Sequence, residues 1–218
     1  MPTTHTITLN GLIKVGKSIH IDQLQREGLV YCNTVKYFRD LENNDKERHD
    51  GREGANSSIK TQNLQIFIPG RKDLLPVQIT KSHLNTYDEK TLMTHLYCLC
   101  AMTPKHITGK PFIDEKNIDF GEKALLITKP LEFIERIKKA ISQTLKCNYD
   151  LVDYYDDNET HEHLTVFQKP NQFQHQNEFR FHFTGHIGDM LELRIGSIGD
   201  ISQTLDSIAL TKVNLRKM

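Results

Sequence analysis

The spacing of apolar residues changes period twice within the first forty residues of the chain. The elements that it predicts are, in order, strands over Ile7–Leu9 and Leu12–Val15, a helix over Ser18–Glu27, a strand over Leu29–Cys32 and a short helix or turn over Val35–Phe38. Ser18 has the side chain of a helix N-cap, and Gly28 suits the left-handed position after a helix end. We therefore expect a tightly packed N-terminal segment.

The rest of the chain shows mainly the two-residue period of strands, with one strongly amphipathic helix. The predicted elements are a charged loop over Asp40–Gly54, a hairpin of Leu64–Ile68 and Val77–Ile79, strands over Leu92–Met102, Lys123–Thr128, Tyr149–Tyr155, Gln176–Thr184, Met190–Ile195 and Ile208–Val213, and a helix from Pro130 with the stripe Ile134, Ile137, Ile141 and Leu145. Leu92–Met102 is apolar on both faces, which is typical of a central strand. We expect one α+β domain over residues 1–218, with a central mixed or antiparallel sheet and a few flanking helices.

The strand Gln176–Thr184 alternates more cleanly than the others. Its apolar face carries Phe179, Phe181 and Phe183, and its polar face carries Glu178, Arg180 and His182. Alternate side chains of a strand lie on opposite faces of the sheet. The pattern therefore predicts that the phenylalanines enter the core and that the polar face meets water.

The balance of charge excludes some classes of function. The chain has 218 residues with 28 basic and 28 acidic side chains, so it lacks the strongly basic surface that dominates general nucleic-acid affinity. It has no apolar run near the roughly 18 residues that a membrane span needs, and its N-terminus lacks the apolar core of a signal peptide. We expect a cytoplasmic protein with no membrane binding and no strong general nucleic-acid binding.

The cysteines, acidic residues and glycines do not match common cofactor motifs. The 4 cysteines, among them Cys98 and Cys100, are too few for a disulfide framework and lack zinc-finger spacing, so we expect reduced and mostly buried thiols. The acidic segment Asp150–His163 matches no defined metal loop and is interpreted as a solvated loop. No P-loop or dinucleotide fingerprint is present, and no metal ligands are assigned.

Two groupings of polar residues are candidates for a functional site. The first grouping comprises Tyr37, Phe38, Arg39, Glu42, Asp50, Glu53 and Gly54. Its aromatic side chains anchor the segment, and its acids are suited to hold Arg39 in a two-pronged contact. The loop either caps a cleft and binds a polar ligand or satisfies its own charges at the surface. In the first interpretation the ligand-binding residues are Tyr37, Arg39, Glu42, Asp50 and Glu53.

The second grouping comprises Lys169, Phe173, Gln176, Glu178 and Arg180. Gln176, Glu178 and Arg180 are two residues apart along a strand, so their side chains share one face. A carboxylate held between an amide and a guanidinium is suited to stabilise the oxocarbenium-like charge of glycosidic cleavage. The candidate catalytic residues are Glu178, Gln176 and Lys169, and Arg180 is a candidate ligand-binding residue. The alternative is an Arg–Glu ladder on an exposed sheet face.

Together the two groupings resemble the motifs of a widespread group of uncharacterised prokaryotic and phage proteins. The similar pieces are Tyr37-Phe38-Arg39, Glu42, Asp50, Glu53-Gly54, Lys169, Phe173, Gln176-Asn177-Glu178-Phe179-Arg180 and the segment Ile195–Ile201. The resemblance covers most of the chain and brings no assigned chemistry with it. Some related domains occur beside antiviral defence systems, so it implies a role in phage–host conflict and a protein partner in a defence or counter-defence complex.

A remoter resemblance is to the NAD-using ADP-ribosyltransferases. A late strand of that family often carries Gln/Glu-x-Glu with a catalytic second carboxylate, and Gln176-x-Glu178 is similar to this fragment. A strand followed by the helix Ser18–Glu27 and Gly28 also looks like the early segment of that fold. This resemblance implies NAD as the ligand and Glu178 as the catalytic carboxylate.

Three hypotheses about function follow, and the sequence leaves open whether the chain is an enzyme. The first is a binding or interaction protein, such as a phage inhibitor or the sensor of a defence module. The second is transfer or hydrolysis at a glycosidic bond of NAD or a related nucleotide, in a cleft where both groupings meet and Arg39 binds a phosphate or carboxylate of a polar small molecule. The third is a metal-dependent nuclease with Asp50, Glu53 and Glu178 as ligands and Lys169 stabilising phosphate charge.

Overall fold

The computed structural model describes residues 8–41, 50–66, 69–70, 77–104 and 113–212. Within these ranges the strands are β1 (Gly11–Gly16), β2 (Leu29–Thr34), β3 (Ala55–Ile66), β4 (Val77–Tyr87), β5 (His95–Met102), β6 (Lys123–Ile127), β7 (Lys146–Leu151), β8 (Asp153–Tyr155), β9 (Gln168–Pro170), β10 (Glu178–Thr184), β11 (Met190–Arg194) and β12 (Ser202–Asp206). The α-helices are α1 (Ser18–Glu27), α2 (Val35–Asp40), α3 (Glu89–Leu92), α4 (Pro130–Ala140) and α5 (Ser207–Leu210), and 3₁₀ helices cover Glu115–Phe120 and Asn171–Gln176. None of these helices has the length and apolar character that a membrane span requires.

A large antiparallel sheet forms the centre of the fold, and β5 lies in its middle. Along one edge β5 pairs with β10, from His95 opposite Phe183 to Cys100 opposite Glu178. Along its other edge it pairs with β1 near Met102 and with β2 near His95. The sheet continues from β1 through β6 to β12, from β2 to β11 and from β10 to β7. The predicted α+β class, with a central sheet and a few flanking helices, is confirmed.

One face of the sheet carries the main apolar core, to which α1 and α4 contribute. Phe179, Phe181 and Phe183 of β10 are fully buried in it, as the alternation of that strand predicts. Ile21 of α1 and Phe133 of α4 belong to the same cluster. Complete burial of such side chains contributes about 1.5 to 3 kcal/mol each, so this face anchors β10 in the sheet.

The opposite face carries two smaller apolar clusters together with the polar side chains of β10. Cys100 belongs to one cluster and Cys98 to the other. In the register of β5 and β10, Cys100 lies opposite Glu178 and Cys98 lies opposite Arg180. Residues opposite each other in an antiparallel pair share a face, so the polar residues of β10 adjoin both clusters.

Two predicted strands are replaced, in whole or in part, by helices. The predicted strand Ile208–Val213 is wrong, because Asp206 ends β12 and then caps α5 by accepting the backbone N–H of Ile208. The predicted strand Leu92–Met102 begins only at His95, because α3 occupies the preceding residues. In both places a helix that begins at an aspartate N-cap overrides the local apolar pattern.

Other predicted elements differ from the observed ones mainly in their bounds. The hairpin is longer than predicted, since β3 begins at Ala55 and β4 ends at Tyr87. α4 ends at Ala140, so Ile141 and Leu145 continue its apolar stripe beyond the helix.

Three further predicted strands are wrong in part. Ile7 lies outside the described residues, as do Phe67–Ile68 of the hairpin, but Thr8 and Leu9 are described and are not in a strand. The predicted strand Tyr149–Tyr155 is divided between β7 and β8. The predicted strand Gln176–Thr184 begins only at Glu178, because Gln176 ends a 3₁₀ helix, so Gln176 is not on the strand face that Glu178 and Arg180 share.

Candidate functional site

Arg180, the third residue of β10, is the centre of a buried network of charges. Its Nη1 and Nη2 atoms donate to Oε1 and Oε2 of Glu53, each at 2.7 Å, in a two-pronged contact. Its Nε atom donates to Oε2 of Glu178 at 2.7 Å, and Nη1 also donates to the backbone carbonyl of Val166. Only 1% of Arg180 is exposed. All three guanidinium nitrogens are therefore engaged with protein groups.

Lys169, on β9, contacts the same carboxylates from a second direction. Its Nζ atom donates to Oε1 of Gln176 at 2.9 Å, and it lies 3.6 Å from Oε1 of Glu178 and 3.8 Å from Oε2 of Glu53. The ammonium also lies 4.5 Å from the centroid of the Phe173 ring, whose face attracts a cation. We call Glu53, Lys169, Gln176, Glu178 and Arg180 the ion network.

The start of β10 brings the second grouping together. Glu178 and Arg180 are two residues apart in the strand, so both project from the same face of the sheet. The 3₁₀ helix that ends at Gln176 is followed by Asn177, which has a left-handed φ of 43°. Asparagine tolerates this conformation better than most residues, and the reversal leads the chain directly into β10.

The turn Asp50–Gly54 places Glu53 over the network. The N–H of Glu53 donates to the carbonyl of Asp50 at 2.8 Å, which closes the turn. Gly54 has a φ of +73°, and a Cβ atom there would lie 2.3 Å from Cγ1 of Val35 in α2. Only glycine combines this backbone conformation with so close an approach. The packing of the turn on α2 thus sets the position from which Glu53 reaches the sheet.

Glu178 stays ionised although it is largely buried. Burial raises the pKa of this carboxyl, but the charges of Arg180 and Lys169 outweigh that effect and hold the pKa below its ordinary value. Burial likewise lowers the pKa of Arg180, and its two carboxylate partners raise it well above the ordinary value. Only 13% of the Glu178 side chain is exposed, and its Oε1 atom lies 3.6 Å from Nζ of Lys169.

Asp50 is buried beside the network and makes no direct contact with its cations within the described ranges. One of its carboxylate oxygens accepts the backbone N–H of Arg52 at 3.0 Å. Burial raises the pKa of Asp50 to about 6; Lys169 opposes this shift and Glu53 adds to it. Asp50 therefore binds a proton more readily than an ordinary aspartate does.

Arg39 and Tyr37 do not join the ion network. The Nε atom of Arg39 donates to Oδ1 of Asp40 at 2.7 Å, and its guanidinium lies 5.1 Å from the centroid of the Tyr87 ring. Tyr37 is 47% exposed. We expected an acid of the loop to hold Arg39. Among the described acids, Asp50 and Glu53 do not do so, because Arg39 instead contacts the adjacent Asp40. Glu42 lies outside the described residues.

The polar face of β10 is covered, and the prediction that it meets water is wrong. The turn that carries Glu53 and the backbone at Val166 lie over Arg180 and supply its acceptors. His182 is partly buried as well, with Nε2 2.8 Å from Oγ1 of Thr94. Of the predicted site residues, those that lie together are Asp50, Glu53, Lys169, Gln176, Glu178 and Arg180, and those that lie apart are Tyr37 and Arg39.

Sequence reasoning missed three groups around Glu178. The backbone N–H of Glu178 donates to the hydroxyl oxygen of Tyr154 at 2.9 Å. Lys14 donates to the carbonyl of Cys98 at 2.7 Å, and its charge also lowers the pKa of Glu178. The third group is the carbonyl of Val166. A backbone carbonyl has no sequence signature, and the other two side chains lie on strands remote from β10 along the chain.

Neither metal ligation nor similarity to known proteins assigns a function to this site. Across the part of the chain that the structure describes, no group of three or more His, Cys, Asp or Glu side chains is arranged to hold a metal ion. Comparisons with protein-family models, with curated proteins and with solved structures give no match to this chain. The site is therefore interpreted from its own geometry and charge.

Proposed function

We propose that this protein is a binding protein that presents a rigid surface to a protein partner, and that the ion network holds this surface in shape. The supporting observation is that every guanidinium nitrogen of Arg180 is engaged, with Glu53, Glu178 or Val166. Buried charges that satisfy one another specify a single arrangement of the segments that carry them. Here they tie the turn Asp50–Gly54 to a strand 127 residues away along the chain.

The surface that we propose for recognition of the partner lies on α2. It is next to the turn Asp50–Gly54, which the ion network holds in place. Tyr37 is exposed there, and Arg39 stacks on the ring of Tyr87. We call Tyr37 and Arg39, which both lie on α2, together with Tyr87, which Arg39 contacts, the aromatic–arginine patch. Tyrosine and arginine are enriched in protein interfaces because they combine a large contact area with polar ends. The hydroxyl of Tyr87 donates to the carbonyl of Gly51 at 2.7 Å, so the turn supports the patch and reduces the ordering cost of binding.

A partner in a defence or counter-defence complex is consistent with the resemblance of the two groupings to prokaryotic and phage proteins. A sensor and an inhibitor both act by binding another protein, and neither needs to turn over a substrate. The equal numbers of basic and acidic residues, 28 of each, favour a partner chosen by shape and aromatic contact over one attracted by long-range charge.

Tyr37→Ala is expected to weaken binding of the partner about 30-fold while the fold remains intact. Loss of a central aromatic anchor typically costs about 2 kcal/mol, which is roughly a 30-fold loss of affinity. Tagged protein is incubated with lysates of phage-infected and uninfected host cells, and stoichiometric partners are identified by mass spectrometry. Tyr31→Ala, at an exposed tyrosine of β2, should capture the partner as the wild type does. A Tyr37→Ala protein that captures as much partner as the wild type, or the absence of a stoichiometric partner, contradicts the proposal.

A second candidate is glycosidic chemistry on NAD or a related nucleotide at Glu178. The observation that favours it is an ionised carboxylate in a largely water-excluded site, with 13% of its side chain exposed. Such a carboxylate is suited to stabilise a developing oxocarbenium ion, because charges interact more strongly where water is excluded. Gln176 and Lys169, joined by a hydrogen bond of 2.9 Å, would orient the ligand beside it.

NAD consumption by the purified protein tests this second candidate. If Glu178 is the catalytic carboxylate, Glu178→Gln should lower the rate on the order of 100-fold, because the neutral amide keeps the shape but not the charge. Glu192→Gln, at an exposed position of β11, is the matched control and should leave the rate unchanged. Nicotinamide release is measured by chromatography, and circular dichroism verifies that both variants are folded. Equal background rates for the wild type and both variants contradict the candidate.

The hypothesis of a metal-dependent nuclease gains no comparable support. Glu53 and Glu178, two of its three carboxylates, already contact Arg180 at 2.7 Å. A guanidinium in this position repels a second cation and occupies the oxygens that would bind it. We therefore do not propose metal-dependent cleavage of nucleic acid.

A further inference from the structure

β7 forms one margin of the large sheet. One of its edges pairs with β10, and no strand among the described residues pairs with its other edge. The N–H of Val152 donates to the carbonyl of Glu178, so the backbone groups of every second residue back from Val152 face β10. The N–H and carbonyl groups of Cys147 and Tyr149 therefore face away from the sheet. Such an edge is a template for one more strand.

The two faces of β7 differ in polarity. Lys146, Asn148 and Asp150 are exposed and lie opposite the polar residues of β10, while Cys147 and Tyr149 are half-buried on the side of the main core. Oδ1 of Asp150 accepts the N–H of the next residue at 2.8 Å, which leaves Oδ2 to face a cation. The ion pairs of the described residues include neither Lys146 nor Asp150.

β7 is complementary in charge to a second copy of itself that runs antiparallel about Asn148. In this register Lys146 of each copy lies opposite Asp150 of the other, and Cys147 lies opposite Tyr149. The outward backbone groups of Cys147 and Tyr149 then form the hydrogen-bonded pairs of the ladder. The charged residues fall at the pairs without hydrogen bonds, where side chains approach more closely and opposite charges attract.

The other two margins of the sheet, β11 and β12, do not match themselves in this way. Antiparallel pairing about the centre of β11 would set Glu192 against the Glu192 of a second copy, and like charges in this position repel. Pairing about the centre of β12 would set Asp206 against Ser202, with no ion pair. A lysine on an edge strand usually discourages pairing with other chains, and here the second copy supplies the acid that offsets it.

We propose that two copies of this chain associate through β7, antiparallel about Asn148, so that one continuous sheet runs through both. The second copy is the occupant of this edge because the charges of β7 complement those of the same strand reversed. One pair of strands is a small interface, so we expect a weak dimer with a dissociation constant in the micromolar range. The association goes beyond the proposed function, because β7 contains no residue of the aromatic–arginine patch.

Exchange of the two charges tests the association in the full chain. Sedimentation equilibrium, up to millimolar protein, should show a reversible dimer of the wild type. Lys146→Asp and Asp150→Lys should each raise the dissociation constant at least about tenfold, because each creates two like-charged pairs. The double variant Lys146→Asp with Asp150→Lys has the net charge of the wild type and should dimerise as the wild type does.

Three sedimentation results overturn the proposal. The first is a wild type that is monomeric throughout the concentration range, which would leave the edge to another partner or to none. The second is a dimer that both single variants retain. The third is a double variant that stays monomeric although circular dichroism shows that it is folded.

Cross-linking tests the register independently. In a Cys147→Ser background, Asn148→Cys places two thiols opposite each other at a pair without hydrogen bonds, where Cα atoms about 4.5 Å apart suit a disulfide. Mild oxidation should therefore give a covalent dimer. Lys146→Cys in the same background is the control, because its two copies would lie about 13 Å apart along the strands. Equal cross-linking of the two variants, or none of Asn148→Cys, overturns the register.

Discussion

Replacement of Arg180 by leucine should lower the free energy of unfolding by about 3 to 5 kcal/mol. The substitution leaves Glu53 and Glu178 without the guanidinium that contacts each of them at 2.7 Å. Removal of one partner leaves the other charges uncompensated where water cannot replace the lost contact. Domains are stable by only about 5 to 15 kcal/mol, so the loss is a large fraction of the total. Urea unfolding followed by circular dichroism measures it.

Arg194→Leu is the matched control for this experiment. Arg194 contacts Glu27 at 2.9 Å, but 62% of its side chain is exposed, so its loss should cost about 1 kcal/mol or less. A quadruple variant that combines Arg180→Met and Lys169→Met with Glu53→Gln and Glu178→Gln should recover part of the stability, because none of the four charges of the ion network remains. If Arg180→Leu unfolds at the same urea concentration as Arg194→Leu, the ion network does not stabilise the fold as proposed.

Local patterns predict the elements that carry the network better than they predict its contacts. The apolar face of β10 and the end of α1 at Gly28 follow from the sequence, because strand faces and helix ends depend on near neighbours. The pairing of Glu53 with Arg180 joins residues 127 positions apart. The sequence shows that acids and bases are present in both groupings, but no local rule states which acid meets which base.

The polar face of β10 shows why the prediction of a wet surface failed. Alternation correctly places Phe179 and Arg180 on opposite faces, yet both side chains are buried. The two-residue alternation along a strand does not show whether a remote segment of the chain covers its polar face. In this fold the turn that carries Glu53 covers it. The same reasoning explains Arg39: its sequence neighbourhood holds several acids, and only the fold shows that Asp40 is its partner.

The second large effect is expected at Gly54, where alanine should lower the free energy of unfolding by about 3 kcal/mol. A left-handed backbone costs alanine roughly 1 kcal/mol relative to glycine. The new Cβ atom would lie 2.3 Å from Cγ1 of Val35, and overpacking of this kind costs about 1 to 3 kcal/mol more. Because Glu53 is the preceding residue, relief of the clash also moves its carboxylate away from Arg180. Urea unfolding gives the size of the effect.

Two comparisons separate backbone strain from the steric clash at Gly54. Gly70 has a φ of +82°, and among the described residues no atom lies within 4 Å of the position that a Cβ atom would take, so Gly70→Ala should show only the backbone cost of about 1 kcal/mol. Val35→Ala removes the atom that the new Cβ meets, so the double variant with Gly54→Ala should be more stable than the sum of the single effects predicts, by at least about 1 kcal/mol. If the two effects simply add, the contact with α2 does not set the position of Glu53, and the turn must be located by the ion network alone.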